Sequence, residues 1–162
     1  MSHGITRIAY AHDITLITLA SLPCDSKAVA AVLTALSEHG VNVDMISQTA
    51  PQGGTIRLSF TISDGALADA LAVLAKLRQD NPAISPEILP GNAKIAFSDP
   101  EMVNTPGVAA QVFTLLSHAG MQVMLVTTSE VDISILVSGH ELNDALRIAN
   151  AHYGVEPVET SF

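Results

Sequence analysis

The sequence predicts an α+β fold built from two small ferredoxin-like units, each ordered strand, helix, strand, strand, helix, strand. Three observations predict it. First, the glycine-headed stretch from Gly40 to Gln48 returns eighty residues later as Gly120 to Thr128, and Ala30, Val32, Thr34, Leu36 and Ser37 recur ahead of it as Ala110, Val112, Thr114, Leu116 and Ser117. Second, apolar residues alternate with polar ones over 55–63 and 131–137, the period of a half-buried strand. Third, stripes at i, i+3, i+4, i+7 spacing mark helices between the strands. A repeat fixes the architectural unit, and 162 residues suit two small domains.

Taken in order, Ile5 to Tyr10 is a short strand candidate with no local partner. Asp13 to Ala20 is a stronger strand, rich in β-branched residues. Ser21 to Ser26 reads as a loop in which Asp25 or Ser26 caps a helix. That helix carries Val29, Val32, Leu33 and Leu36 on one stripe and stops at Gly40, which suits the left-handed position past a helix end. The stretch after Gly40 reads as a strand with Val41, Val43 and Met45 apolar, and Asn42, Asp44 and Gln48 between. Pro51 to Gly54 is a turn, and Ile56, Leu58, Phe60 and Ile62 form the covered side of the next strand. Ser63-Asp64-Gly65 opens a second helix with Leu67, Ala70, Leu71 and Leu74 on its stripe. Asn81-Pro82 stops it, and Glu87 to Pro90 closes the unit.

The second copy begins at Ala93, after a link of two or three residues at Gly91-Asn92, short enough to suggest that the units pack together. Ile95 and Phe97 mark its first strand. Thr105 is read as a helix cap and Pro106 as the first helical residue, with Ala109, Val112, Phe113 and Leu116 as the stripe. The Gly120 strand follows. Val131, Ile133, Ile135 and Val137 then alternate with Asp132 and Ser134. Leu142, Ala145, Leu146 and Ala149 line a last helix, and Gly154 to Phe162 is a terminal segment.

Composition narrows the function. Net charge is -9 with only 7 Lys and Arg, so the basic stripe of a nucleic-acid binder has no residues to build it. No apolar run approaches the roughly 20 residues of a membrane helix. The start lacks a signal peptide's pattern, and the single cysteine, Cys24, precludes an internal disulfide and fits a reducing compartment. A cytoplasmic protein is expected. Apolar content of 48% against 14% charged points to further buried interface, so a homodimer is expected as well.

No catalytic constellation is visible. The six histidines show no metal-ligand spacing, Cys24 has no nearby partner, and no phosphate-binding glycine loop follows a strand. Neither metal nor cofactor is expected. Thr127-Thr128-Ser129-Glu130 reads either as a hydroxyl and carboxylate cluster or as a hairpin turn, and spacing favours the turn. Asp44 is the informative residue. It shares strand parity with Asn42 and Gln48, so the three project to one side. A carboxylate there could accept hydrogen bonds from an ammonium group, or simply face solvent. The loop Leu22 to Ser26 ends at a helix N-terminus, whose free N–H groups attract a carboxylate. Together these poles suit a free α-amino acid.

Val41 to Gln48 (Val-Asn-Val-Asp-Met-Ile-Ser-Gln) resembles the signature of the first regulatory domain of aspartate kinases, and Thr127 to Val137 that of the second. Thr105 to Phe113 is similar to the helix start of the second domain, and Ile5 to Tyr10 to the strand that enters the pair. The resemblance, spread over nearly the whole chain, is to tandem ACT domains, ferredoxin-like modules that bind amino acids where two of them meet. It implies that the first domain, residues 12–91, is inserted into the second, residues 92–162, to which residues 5–11 contribute a strand. It also implies feedback sensing of lysine or threonine on behalf of aspartate kinase, an ATP-dependent phosphotransferase. A kinase catalytic subunit or lobe is then a partner, and this chain alone is not an enzyme. The effector-binding positions carried over in the first domain are Leu22, Cys24, Asp25 and Ser26 in the loop and Asn42, Val43, Asp44 and Gln48 after Gly40. In the second they are Thr105, Gly107, Thr128, Ser129 and Glu130.

The chain departs from the family at the first loop, where an Asp followed by Pro-Gly is usual. Cys24 and Ser26-Lys27 stand there, and Lys27 replaces the glycine that lets backbone approach a ligand. Met124 stands in the second unit where the first has Asp44. Neither unit holds a complete site, so a composite site across a unit or chain interface is expected. The alternatives are a free-standing ACT pair serving another partner, and a dimerisation module whose ligand site has decayed.

Overall fold

The computed structural model describes residues 4–161. It divides into two compact units: Asp13–Pro90 is the first, and Gly91–Ser161 together with the described residues up to His12 is the second. The first unit is thus an insertion within the second. The connection is made by strands. β1 (Arg7–Pro23) and β4 (Ser85–Ser98) each run from one unit into the other. The separate strands expected at 5–10 and 13–20 are therefore one strand. It is interrupted by left-handed backbone at Asp13 and Ser21, φ 59° at each, and by a register shift between Leu19 and Leu22. Gly91-Asn92 is likewise no linker but part of β4.

In the first unit the strand order is β2 (Ile46–Gln48), β3 (Thr55–Ser63), β1, β4, with both β1 and β2 antiparallel to β3. Helices α1 (Ser26–Glu38) and α2 (Leu67–Asp80) cover its core. That core unites Ile17, Leu19, Leu22, Val32, Leu36 and Phe60, each nearly or wholly out of water. Burying such side chains stabilises by roughly 1.5–3 kcal/mol apiece. The α2 stripe is shifted from expectation: Val73 is buried with Ala70 and Leu74, whereas Leu71 is 42% exposed. A short 3-10 turn at Asp64–Ala66 precedes α2 and rotates its buried side.

The second unit repeats the order: β1, β4, β6 (Asp132–Ser138), β5 (Leu125–Thr128), with α3 (Val108–His118) and α4 (Leu142–Tyr153). Ile5 and Ile8 join its core beside Phe97, Val112, Ile135 and Ala149, and the Thr6 N–H donates to the Ser98 carbonyl at 3.0 Å. The tail adds a strand that the sequence did not announce. β7 (Val158–Glu159) lies parallel to β1 at Ala9 and Tyr10, and the Thr160 N–H donates to the Tyr10 carbonyl at 2.8 Å. The α3 stripe is Val108, Val112 and Leu116; Ala109 is exposed and Phe113 is 38% exposed. Tyr153 is buried against Phe97, ring centroids 6.1 Å apart, and its hydroxyl meets no hydrogen-bond partner among the described residues. Burial pushes its pKa up.

The repeated glycines end their helices identically. Gly40 (φ 70°) donates to the Ser37 carbonyl and Val41 to Leu36, at 3.0 and 2.9 Å. Gly120 (φ 69°) donates to Ser117 and Met121 to Leu116, at 2.9 and 3.0 Å. This is the paired hydrogen-bond motif that satisfies the last carbonyls of a helix. The strand expected straight after each glycine starts later, at Ile46 and Leu125. The four or five residues between still bury Val41 and Met45 and expose Asn42 and Asp44.

Candidate functional site

At the start of α1, Asp25 is the helix cap: its Oδ1 accepts the Ala28 N–H at 2.7 Å. The first N–H groups of a helix have no partner within it. Asp25 satisfies one of them, which leaves those of Ser26 and Lys27 at the exposed first turn. Cys24 is an exposed free thiol whose N–H is already given to the Gly54 carbonyl at 3.1 Å. Leu22, expected in the loop, sits instead in β1 opposite Ile56 and is buried in the core. Two members of that expected set are therefore poor ligand contacts: Leu22 through its burial and Cys24 through its occupied N–H.

Beyond Gly40, Asn42, Asp44 and Gln48 are all exposed and Val43 is half-buried. Asp44 is positioned by its own backbone, whose N–H donates to the Thr61 carbonyl at 3.1 Å. The neighbouring Met45 N–H binds the Thr61 hydroxyl at 3.0 Å. Gln48 ends β2, opposite Leu58, on the outer strand of the sheet.

The structure does not bring these two groups together within the first unit. Pro23, at the start of the loop, pairs with Thr55, while Asp44 binds Thr61. Thr55 and Thr61 are six residue steps apart along β3, about 20 Å of strand. An α-amino acid carries both charges on one carbon, so it cannot touch Asp44 and the α1 start of the same unit.

In the second unit the loop after β4 and the β5–β6 turn lie at the same end, tied by the Asp99 N–H to the Val131 carbonyl at 3.0 Å. Thr128 ends β5 opposite Ile133, and Ser129 and Glu130 are exposed in the turn, where the Ser129 N–H donates to the Asp132 carbonyl. The hairpin reading of this stretch is the one realised. Thr105 does not cap α3. Its hydroxyl donates to the Glu101 carbonyl at 2.8 Å, and Gly107, with φ 93°, takes the cap position without a side-chain bond. A 3-10 turn at Pro100–Asn104 absorbs the residues that would have begun the helix.

Models of the ACT domain match residues 26–81 and 95–153, one in each unit. The chain belongs to the ACT-domain family. Its relatives include the aspartokinase of Bacillus sp. (strain MGA3), 32% identical over 139 residues, which are 86% of this chain and 34% of that protein. The aspartokinase of Geobacillus stearothermophilus is 31% identical over 154 residues, 94% of this chain and 37% of that protein. The chain thus spans about a third of the length of these curated relatives. The crystal structure of the regulatory subunit of aspartate kinase from Thermus thermophilus, in its ligand-free form, matches with a TM-score of 0.84 at 27% identity. The match covers 93% of this chain and 99% of that one.

The first ACT unit also holds a groove that sequence reasoning missed. A hollow of about 430 Å³ is lined by Ser21, Thr49, Gln52 and Arg57, among others. Ser21 in its lining has left-handed backbone, and one Arg57 guanidinium nitrogen donates to both carboxylate oxygens of Glu87 at 3.0 Å. The only advance signal was the turn at Pro51 to Gly54, because the bulge in β1 leaves no mark in the apolar pattern.

Proposed function

We propose that this chain is the amino-acid-sensing regulatory module of an aspartate kinase and that threonine or lysine is its effector. The observation that carries the reading is the near-complete two-way coverage with a regulatory subunit of aspartate kinase, 93% of this chain and 99% of that one. The ACT pair then acts on a kinase catalytic part, on the same polypeptide or a separate one, in the cytoplasm.

The effector is held between two copies of the chain, because its two poles cannot be met within one first unit. The Asp44 carboxylate takes the α-ammonium. The N–H groups of Ser26 and Lys27, at the start of α1 in the other copy, take the carboxylate. Gln48 reads the side chain. The exposed apolar residue Ile46 on outer strand β2 fits such an association. Calorimetric titration of the chain with each of the twenty amino acids tests the reading: threonine or lysine binds and the others do not. Light scattering shows a dimer or larger assembly. Binding of no amino acid by an assembled protein would replace this reading with that of a dimerisation module whose site has decayed, as Lys27 in place of the usual glycine would allow.

A further inference from the structure

The backbone that carries Asp44 is tied to Thr61 of β3. The Thr61 carbonyl accepts the Asp44 N–H at 3.1 Å, the Thr61 N–H donates to the Met45 carbonyl at 3.0 Å, and the Thr61 hydroxyl accepts the Met45 N–H at 3.0 Å. These three hydrogen bonds set residues 44 and 45 ahead of β2, which starts at Ile46. Two of them use backbone groups that any residue but proline supplies. The third needs a side-chain acceptor at position 61.

The second unit shows the same station without that acceptor. Leu136 stands where Thr61 does, since its carbonyl accepts the Met124 N–H at 2.8 Å. Leu125, the counterpart of Met45, pairs with Leu136 as the first residue of β5. In the first unit the strand starts one residue later, and the Met45 N–H goes to the Thr61 side chain. The two stations share a backbone bond and differ in the hydroxyl, and the hydroxyl accompanies the acid. Thr61 is 0% exposed and Met45 2% exposed, so the bond between them is shielded from water. A β-branched side chain has little freedom about its first torsion, and a buried N–H that loses its acceptor is costly. The hydroxyl is therefore a fixed anchor for the chain next to Asp44.

We propose that Thr61 is a positioning residue of the effector site: by holding the Met45 N–H, its hydroxyl sets the backbone from which Asp44 presents a carboxylate to an α-ammonium group, an assignment that rests on the sensing role of Asp44. Thr61 itself does not touch the effector. A binding group whose backbone is already ordered loses less freedom when its ligand arrives. Without the hydroxyl, residues 44 and 45 keep only their bonds to the Thr61 backbone, and affinity falls.

Calorimetric titration of threonine and of lysine into the parent chain, Thr61→Val and Thr61→Ser, with amide hydrogen exchange measured on each, tests the assignment. The amino acid that the parent binds should bind Thr61→Ser with an affinity close to the parent's, and Thr61→Val about two- to ten-fold more weakly. The Met45 amide should exchange faster in Thr61→Val than in the other two, while unchanged exchange at Gly120 and Met121 marks an intact fold. If the valine variant does not fold, the serine variant decides alone. Equal affinity of the parent and Thr61→Val, or weak binding by a folded Thr61→Ser protein, would overturn the proposal and leave Asp44 as the ammonium acceptor. A parent that binds neither amino acid would overturn the sensing reading, and the role of Thr61 with it.

Discussion

Asp44 and Met124 hold the same station in the two units: the Asp44 N–H donates to the Thr61 carbonyl at 3.1 Å, and the Met124 N–H donates to the Leu136 carbonyl at 2.8 Å. Each stands four residues past the glycine that ends a helix. The backbone role is met as well by a residue with a thioether as by one with a carboxylate. The two units are alike in architecture and unlike in chemistry, and the acid marks the unit proposed to read an ammonium group.

The repeated helix ends make a matched stability test. Gly40 and Gly120 both adopt left-handed backbone and make the same pair of hydrogen bonds. Neither would meet a neighbour within 4 Å on gaining a Cβ, so the cost of alanine is conformational rather than steric crowding. Gly40→Ala and Gly120→Ala should each lose roughly 1–2 kcal/mol, by denaturant unfolding. A loss at one site and none at the other would contradict the equivalence.

The α1 cap gives a second test with an internal control. Asp25→Ala removes the acceptor of the Ala28 N–H and should cost about 0.5–2 kcal/mol, while Asp25→Ser, which keeps a capping oxygen, should cost little. Thermal unfolding distinguishes them. Equal losses would show that the carboxylate, not the capping hydrogen bond, matters.

Tyr153 carries a pH signature. Its hydroxyl is buried without a partner among the described residues, and burial raises its pKa. The folded protein therefore holds the phenolic proton more tightly than the unfolded chain, which releases it near the ordinary value of about 10. The corresponding stability is fully present below pH of about 10 and is lost as pH rises through the folded value. Tyr153→Phe should remove this part of the alkaline loss and be neutral or more stable near neutral pH, since an unsatisfied hydroxyl disappears. A variant that loses stability at high pH as steeply as the parent would contradict the assignment.

Much of the fold was legible in the residues. Gly40 and Gly120 announced the helix ends, and the alternation from Thr55 to Ser63 delimited β3 to the residue. What failed did so where a short turn or an irregularity intervenes. The 3-10 turns before α2 and α3 rotate those helices, so Leu71 and Phe113 lie outward and Gly107, not Thr105, begins α3. Left-handed backbone at Asp13 lets one strand pass between units without any glycine or proline to signal it. β7 has only two residues, and no period can be read from two. For the site, the sequence placed a carboxylate and a helix start in view but could not give their separation, which the register of β3 sets.

The most direct test of the sensing account is calorimetric titration of threonine and of lysine into the parent chain and into Asp44→Ala. Charge-assisted hydrogen bonds are worth roughly 1.5–3 kcal/mol each, so loss of the carboxylate should weaken binding by about 10- to 150-fold. The fold should stay intact, because Asp44 is exposed at the surface. The account predicts that the parent binds one of the two amino acids and that a folded Asp44→Ala protein binds it at least about ten-fold more weakly. An Asp44→Ala protein that binds as tightly as the parent would contradict it.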